Sequence, residues 1–144
     1  MNICEITELS TAQYIHDRLY EYNLSKTGGI KKEIILSAAP PRYGWYVTGD
    51  PGKICGGLVY QLNANGELYI DFLWMDESLR GMGMGGKLIA LAIARAKELS
   101  CSAVTLYTNS FQAPEFYKKC GFTLTGVKGE QFFYRMELGG SGSR

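Results

Sequence analysis

The sequence predicts a mixed α/β (α+β) domain, and three observations predict it. Short runs with alternating apolar and polar residues recur from Asn2 to Leu138, the pattern of half-buried strands. Two segments repeat their apolar residues at helical spacing: Ala12, Ile15, Leu19 and Tyr22 in one, Leu88, Leu91, Ala92, Ala96 and Leu99 in the other. The chain has 144 residues, 46% hydrophobic and 20% charged. That is enough to bury one core without disulfide or metal staples, and it excludes general disorder.

Asn2 to Glu8 reads as an edge strand around Ile3 and Ile6. Ser10 or Thr11 is placed to cap the helix that follows, with Asp17, Arg18 and Glu21 on its outer face. Gly28-Gly29 breaks the chain between Lys26 and Ile30. Lys31 to Pro41 fits no single element, and Pro40-Pro41 ends it. Trp45 to Thr48 and Lys53 to Leu62 are strands joined by the turn Gly49-Asp50-Pro51-Gly52. A bulge is expected at Gly56-Gly57. Asn63 to Gly66 turns the chain into a third strand, Glu67 to Met75, which completes an antiparallel meander. A helix over Lys87 to Leu99, a strand over Ala103 to Tyr107 and a short helix over Pro114 to Cys120 follow. Pro114 starts that helix and Gly121 stops it. Phe122 to Val127 and Gln131 to Leu138 are the last strands. One domain therefore covers residues 1–138, and residues 139–144 read as a flexible Gly/Ser tail of cloning origin.

Charge narrows the classes of function. Fifteen Lys and Arg against 14 Asp and Glu leave a net charge of +1. A dedicated nucleic-acid binder or a polybasic membrane binder needs clustered positive charge, so neither is expected as a partner. No apolar run is long enough to span a membrane. The first ten residues carry Glu5 and Glu8 and lack a secretion signal, so a cytoplasmic location is expected. Cys4, Cys55, Cys101 and Cys120 form no C-x-x-C pair, and His16 is the single histidine. This predicts free thiols, mostly buried, and no metal site. A lone histidine such as His16 is expected to sit idle at the surface, with lining an acceptor pocket as the alternative.

The segment Arg80-Gly81-Met82-Gly83-Met84-Gly85-Gly86-Lys87 carries the strongest signal. It follows a strand and opens a helix. Gly81-x-Gly83-x-x-Gly86 satisfies the spacing of a dinucleotide fingerprint, but the next strand ends in Tyr107-Thr108-Asn109 with no acid for a ribose. Gly81-x-x-x-x-Gly86-Lys87 begins a P-loop, but Leu88 stands where a hydroxyl must hold magnesium. A third reading needs only what is present. Glycines at a helix start leave backbone N–H groups bare and let an anion approach, and the helix dipole favours it. A pyrophosphate fits, with Arg80 and Lys87 adding charge. A turn that merely packs tightly is the bland alternative.

The same residues carry a family resemblance. Arg80, Gly83 and Gly85 match the pattern Q/R-x-x-G-x-G/A, and the segment after the Leu73-Trp74-Met75 strand end resembles the acetyl-coenzyme A signature of the GNAT N-acetyltransferase superfamily. A second block, Ser110 to Phe122, is similar to the superfamily's late motif, an Ala followed by an "FY-x-K-x-GF" helix. The two blocks stand in the expected order. Ser110 stands at the place where that motif carries Asn, and its hydroxyl can bond to a pantetheine arm. The resemblance covers about two thirds of the chain, from Trp45 onward. The first 40 residues match loosely, and in this superfamily they shape the acceptor pocket.

The resemblance implies a mostly antiparallel central sheet of six or seven strands flanked by helices. It also implies a splayed strand pair that holds acetyl-CoA as co-substrate. Leu73, Trp74 and Met75 would meet the pantetheine arm through backbone groups, and Gly81, Met82, Gly83, Met84, Gly85 and Gly86, with Arg80 and Lys87, would hold the pyrophosphate. A backbone N–H would meet the thioester oxygen. Tyr117 is the candidate acid for the leaving thiolate. Glu67 and Asp71 share one strand face with Tyr69 and are the candidate bases, with a solvent-facing Glu67 as the bland reading. The implied function is acetyl transfer to a primary amine of a small molecule or protein by direct attack on the thioester. An idle acyl-CoA-binding or regulatory module is the alternative. Tyr14, Tyr20, Tyr22, Tyr43, Trp45 and Tyr46 suggest an aromatic-lined acceptor pocket. A homodimer is compatible with the resemblance.

Overall fold

The computed structural model describes residues 1–109 and 115–139. Ser110, Pro114 and residues 140–144 lie outside them. Seven strands form one sheet in the order β1-β2-β3-β4-β5-β7-β6. They are β1 (Asn2–Glu5), β2 (Tyr43–Thr48), β3 (Ile54–Leu62), β4 (Glu67–Met75), β5 (Ala103–Asn109), β6 (Thr123–Lys128) and β7 (Gln131–Glu137). Among the described residues three α-helices accompany them: α1 (Leu9–Thr27), α2 (Met84–Glu98) and α3 (Glu115–Lys119). β1 with β2, β2 with β3, β5 with β7 and β6 with β7 pair antiparallel, and β4 with β5 pair parallel. A parallel pair needs a crossover, and α2 supplies it. The backbone divides into two compact units, residues 1–61 with 71–88 and residues 62–70 with 89–144.

In the first unit, α1 lies on the sheet through Ala12 and Ile15. These two join Leu36, Val59 and Trp74 in a buried cluster, with Tyr14, Leu19 and Phe72 packed against it. Ile15 is fully buried, which contributes about 1.5–3 kcal/mol by area. The close approach depends on Gly57: a Cβ built there collides with Ile15 Cδ1 and comes within 2.9 Å of the Trp45 carbonyl oxygen. The bulge expected at Gly56-Gly57 falls beside them instead. Val47 pairs with Gly56 and Thr48 with Ile54, so Cys55 is the extra residue. The two glycines are in register and serve packing.

The start of α1 also differs from expectation. Glu8 takes the N-cap position with no side-chain cap bond, and Ser10 and Thr11 lie inside the helix. The helix runs through Lys26 to Thr27, and Gly28 ends it at φ 70°, with its N–H donating to Leu24 O at 2.8 Å. Side chains of α1 hold the ambiguous stretch after it, with Tyr20 Oη accepting from Lys32 N–H at 3.0 Å. Gln13 Nε2 donates to Ile34 O and Gln13 Oε1 accepts from Leu36 N–H, both at 2.8 Å. This clamp brings Leu36 into the core.

In the second unit, the β4 and β5 register covers Glu67–Tyr69 against Ala103–Thr105. Strand β5 runs on to Asn109, two residues past its expected end, along β7. Helix α2, whose residues 84–88 fall in the first unit and 89–98 in the second, begins at Met84, three residues earlier than the apolar spacing indicates, and buries Leu88, Ile89, Ala92 and Ala96. Leu99, expected on that face, lies past the helix end and is 48% exposed.

Candidate active site

The glycine loop has the geometry an anion requires. Asp76 caps a 3-10 turn, Glu77–Leu79, accepting from Ser78 N–H at 3.2 Å, and Leu79 is buried. The chain then passes through Gly81 at φ 80° and Gly83 at φ 74°, in the left-handed region that glycine adopts without strain. A Cβ at Gly81, Gly83 or Gly86 would meet no atom within 4 Å, so open space faces these residues. Lys87 N–H donates to Gly83 O at 3.2 Å. By helix geometry, the N–H groups of Met84, Gly85 and Gly86 then have no partner within α2. Bare donors, open approach and a helix N-terminus fit a phosphate group. Arg80 is exposed, with its guanidinium over the Tyr22 ring at 4.9 Å, and Lys87 is exposed on the first turn. Met84 is buried and anchors the turn. Leu73, Trp74 and Met75 end β4 just before the loop, with Trp74 9% exposed.

The two acids of β4 differ in their surroundings. Glu67 is not solvent-facing: its side chain is 12% exposed and forms an ion pair with Arg135. Asn63 also donates to it. Register explains the pair. Glu67, Ala103 and Glu137 form one row across β4, β5 and β7, and Arg135 bridges both carboxylates past the small Ala103. The Arg135 hydrogen bond holds the Glu67 carboxyl below the usual range, against a smaller cost of burial. Asp71, 10% exposed, goes the other way. Burial pushes its carboxyl up, and the opposing Gln61 and Arg42 contacts do not cancel it. Gln61 Nε2 donates to both Asp71 oxygens at 2.9 and 3.1 Å, and Arg42 Nε lies 3.4 Å from Oδ2. Arg42, Gln61 and Arg135 carry no motif in the sequence. They become visible only through strand pairing.

Tyr117 is buried in the second unit, among Phe116, Phe122 and Tyr134, with ring centroids 5.1, 6.2 and 5.8 Å away. Burial first, and then the nearby Cys120 and Tyr134, push its phenol above its ordinary value. Cys120 is half-buried, and its thiol is pushed up by burial. That favours the thiol form over a reactive thiolate. All four cysteines are free, although only Cys55 and Cys101 are buried.

His16 is not an idle surface histidine. It is 9% exposed, its Nδ1 lies 3.0 Å from Asp17 Oδ1, and its ring stacks on Tyr20 and meets the edge of Phe72. The aromatic residues make several separate ring contacts. Tyr14 meets Trp74, Tyr43 and Trp45 both meet Tyr60, and Tyr22 lies under Arg80 and Lys26. A cavity of about 580 Å³ does lie between α1 and residues 31–35, lined by Gln13, Asp17, Tyr20 and Glu33 among others. No helix among the described residues is long and apolar enough to cross a membrane.

Comparison with known proteins identifies the family. The model of the Acetyltransferase (GNAT) family matches residues 5–122. Blasticidin-S acetyltransferase of Streptomyces morookaense is 38% identical over 97 residues, 66% of this chain and 71% of that protein. The crystal structure of an acetyltransferase from Bacillus cereus superposes with a TM-score of 0.63 at 34% identity, covering 92% of this chain and 95% of that one. A streptothricin acetyltransferase of Bacillus anthracis, solved in complex with acetyl coenzyme A, shares the fold with a TM-score of 0.62 at 24% identity, covering 74% of this chain and 70% of that one. The family match takes in the glycine loop and the Tyr117 helix, the two segments that geometry and sequence had singled out, and so the chain belongs to the GNAT family and is an acetyltransferase of that type.

Proposed function

We propose that this acetyltransferase moves the acetyl group of acetyl-CoA to a primary amine of a small polar molecule. The observation that carries the reading is the open glycine loop, with bare N–H groups at the start of α2. Residues Arg80 to Lys87 hold the pyrophosphate, and backbone groups of Leu73 to Met75 meet the pantetheine arm. Ser110 bonds to the same arm. The small-molecule acceptor is favoured by the likeness to the blasticidin-S enzyme, whose similarity spans two thirds of this chain.

The amine must be neutral to attack. Asp71 suits the base role better than Glu67. Glu67 is committed to Arg135, and its lowered proton affinity makes it a weak acceptor. Burial raises the proton affinity of Asp71 and brings it closer to that of its task. Tyr117 is the acid that protonates the leaving thiolate. The enzyme acts in the cytoplasm, where acetyl-CoA is available.

Turnover of acetyl-CoA against a panel of small amines and lysine peptides, followed by thiol release, tests the reading. Release that depends on a small polar amine is the expected result. Binding of acetyl-CoA without thiol release for any amine would support an idle binding module instead.

A further inference from the structure

Tyr134 carries a polar atom that the fold does not explain. The residue is 1% exposed on β7, and its hydroxyl has no hydrogen-bond partner among the described residues. A buried hydroxyl without a partner costs stability that phenylalanine at the same place would not cost. Its ring lies 5.8 Å from the Tyr117 ring, tilted by 37°. The other rings around Tyr117, Phe116 and Phe122, offer only apolar edges and faces.

An acid in such a place has a difficulty. Giving up its proton leaves a phenolate among aromatic rings, beside the half-buried Cys120 thiol, and burial makes that anion costly. A neighbouring O–H donor offsets the cost, because a hydrogen bond to an anion is roughly twice as strong as one between neutral groups. An interaction that strengthens only as the charge develops accelerates the step, whereas one made equally in the resting state does not.

We propose that Tyr134 is a positioning residue for proton transfer by Tyr117: its hydroxyl donates a hydrogen bond to the Tyr117 oxygen as that oxygen loses its proton. The inference rests on Tyr117 being the acid of the proposed reaction. In that reaction the amine nitrogen forms the new bond to the acetyl carbon and passes its extra proton to the base. The carbon–sulfur bond breaks with its electron pair on sulfur. The sulfur takes the Tyr117 proton and leaves as the thiol. The Tyr117 phenolate, held by the Tyr134 O–H, then regains a proton from solvent. Tyr134 keeps its own proton throughout and touches no substrate atom.

The test is a double-mutant cycle of Tyr134→Phe and Tyr117→Phe, with kcat, the KM for acetyl-CoA and the melting temperature measured for each variant. Tyr134→Phe is expected to lower kcat about tenfold, the worth of one charge-assisted hydrogen bond. It should leave KM unchanged, and it should not lower the melting temperature, since an unpartnered hydroxyl is removed. In the Tyr117→Phe background the same change is expected to have no further effect on kcat. Equal losses in both backgrounds, or a lower melting temperature with an unchanged kcat, overturn the proposal. A wild-type rate in Tyr117→Phe removes the acid itself. A slow Tyr117→Phe beside a wild-type Tyr134→Phe removes only the role of Tyr134.

Discussion

Glu67 and Asp71 stand on one strand, and their surroundings move their carboxyls in opposite directions. Arg135 lowers the Glu67 value, so its contribution to stability is present above the unfolded value near pH ~4.3 and is lost as pH falls through the lower folded value. Urea unfolding of Glu67→Gln should therefore show a stability deficit at pH 6 that closes on acidification below pH ~4. A deficit independent of pH would contradict the ion pair. Burial raises the Asp71 value, so the sign reverses: its stabilising share is present below about pH 3.9 and is lost as pH rises through the folded value. The stability difference between Asp71→Asn and the wild type should shift in the variant's favour as pH rises from ~4 to ~7, and kcat should fall about a hundredfold if the carboxylate is the base. An unchanged kcat would take Asp71 out of the chemistry. At Tyr117 the expected outcome of substitution by Phe is a lower turnover with little change in acetyl-CoA affinity, read by thiol release and calorimetry. The acids were visible in the sequence as a shared strand face. Their partners were not, because Arg135 is 68 residues from Glu67 and reaches it only through the pairing of three strands.

Strand β4 was legible to the residue, since alternation and the Asn63 to Gly66 turn fix both its ends. Helix α2 was legible in its face and not in its start. Its first turn is Met84-Gly85-Gly86, which has no periodicity to read, and the N-terminus shows itself only in the φ values of Gly81 and Gly83. Gly56-Gly57 shows what a local pattern leaves open. Two glycines in a strand announce a special backbone position, but not whether a bulge or a neighbour demands it. Here the demand at Gly57 comes from Ile15, 42 residues earlier in the chain. Gly57→Val should cost about 1–3 kcal/mol through overpacking against α1, measured by urea unfolding. A neutral effect would mean that α1 does not lie as close to β3 as described.

The molecule as a whole has nearly balanced charge, so long-range steering offers little and the anion must be captured locally. The loop before α2 is proposed to capture the diphosphate of acetyl-CoA. Calorimetric titration of acetyl-CoA into wild type, Gly83→Asp and Gly83→Asn tests it most directly. Both replacements tolerate a left-handed backbone, and only one adds negative charge. An affinity loss of about a hundredfold or more, ~2.7 kcal/mol, is expected for Asp and a smaller loss for Asn. Wild-type affinity in Gly83→Asp would contradict it.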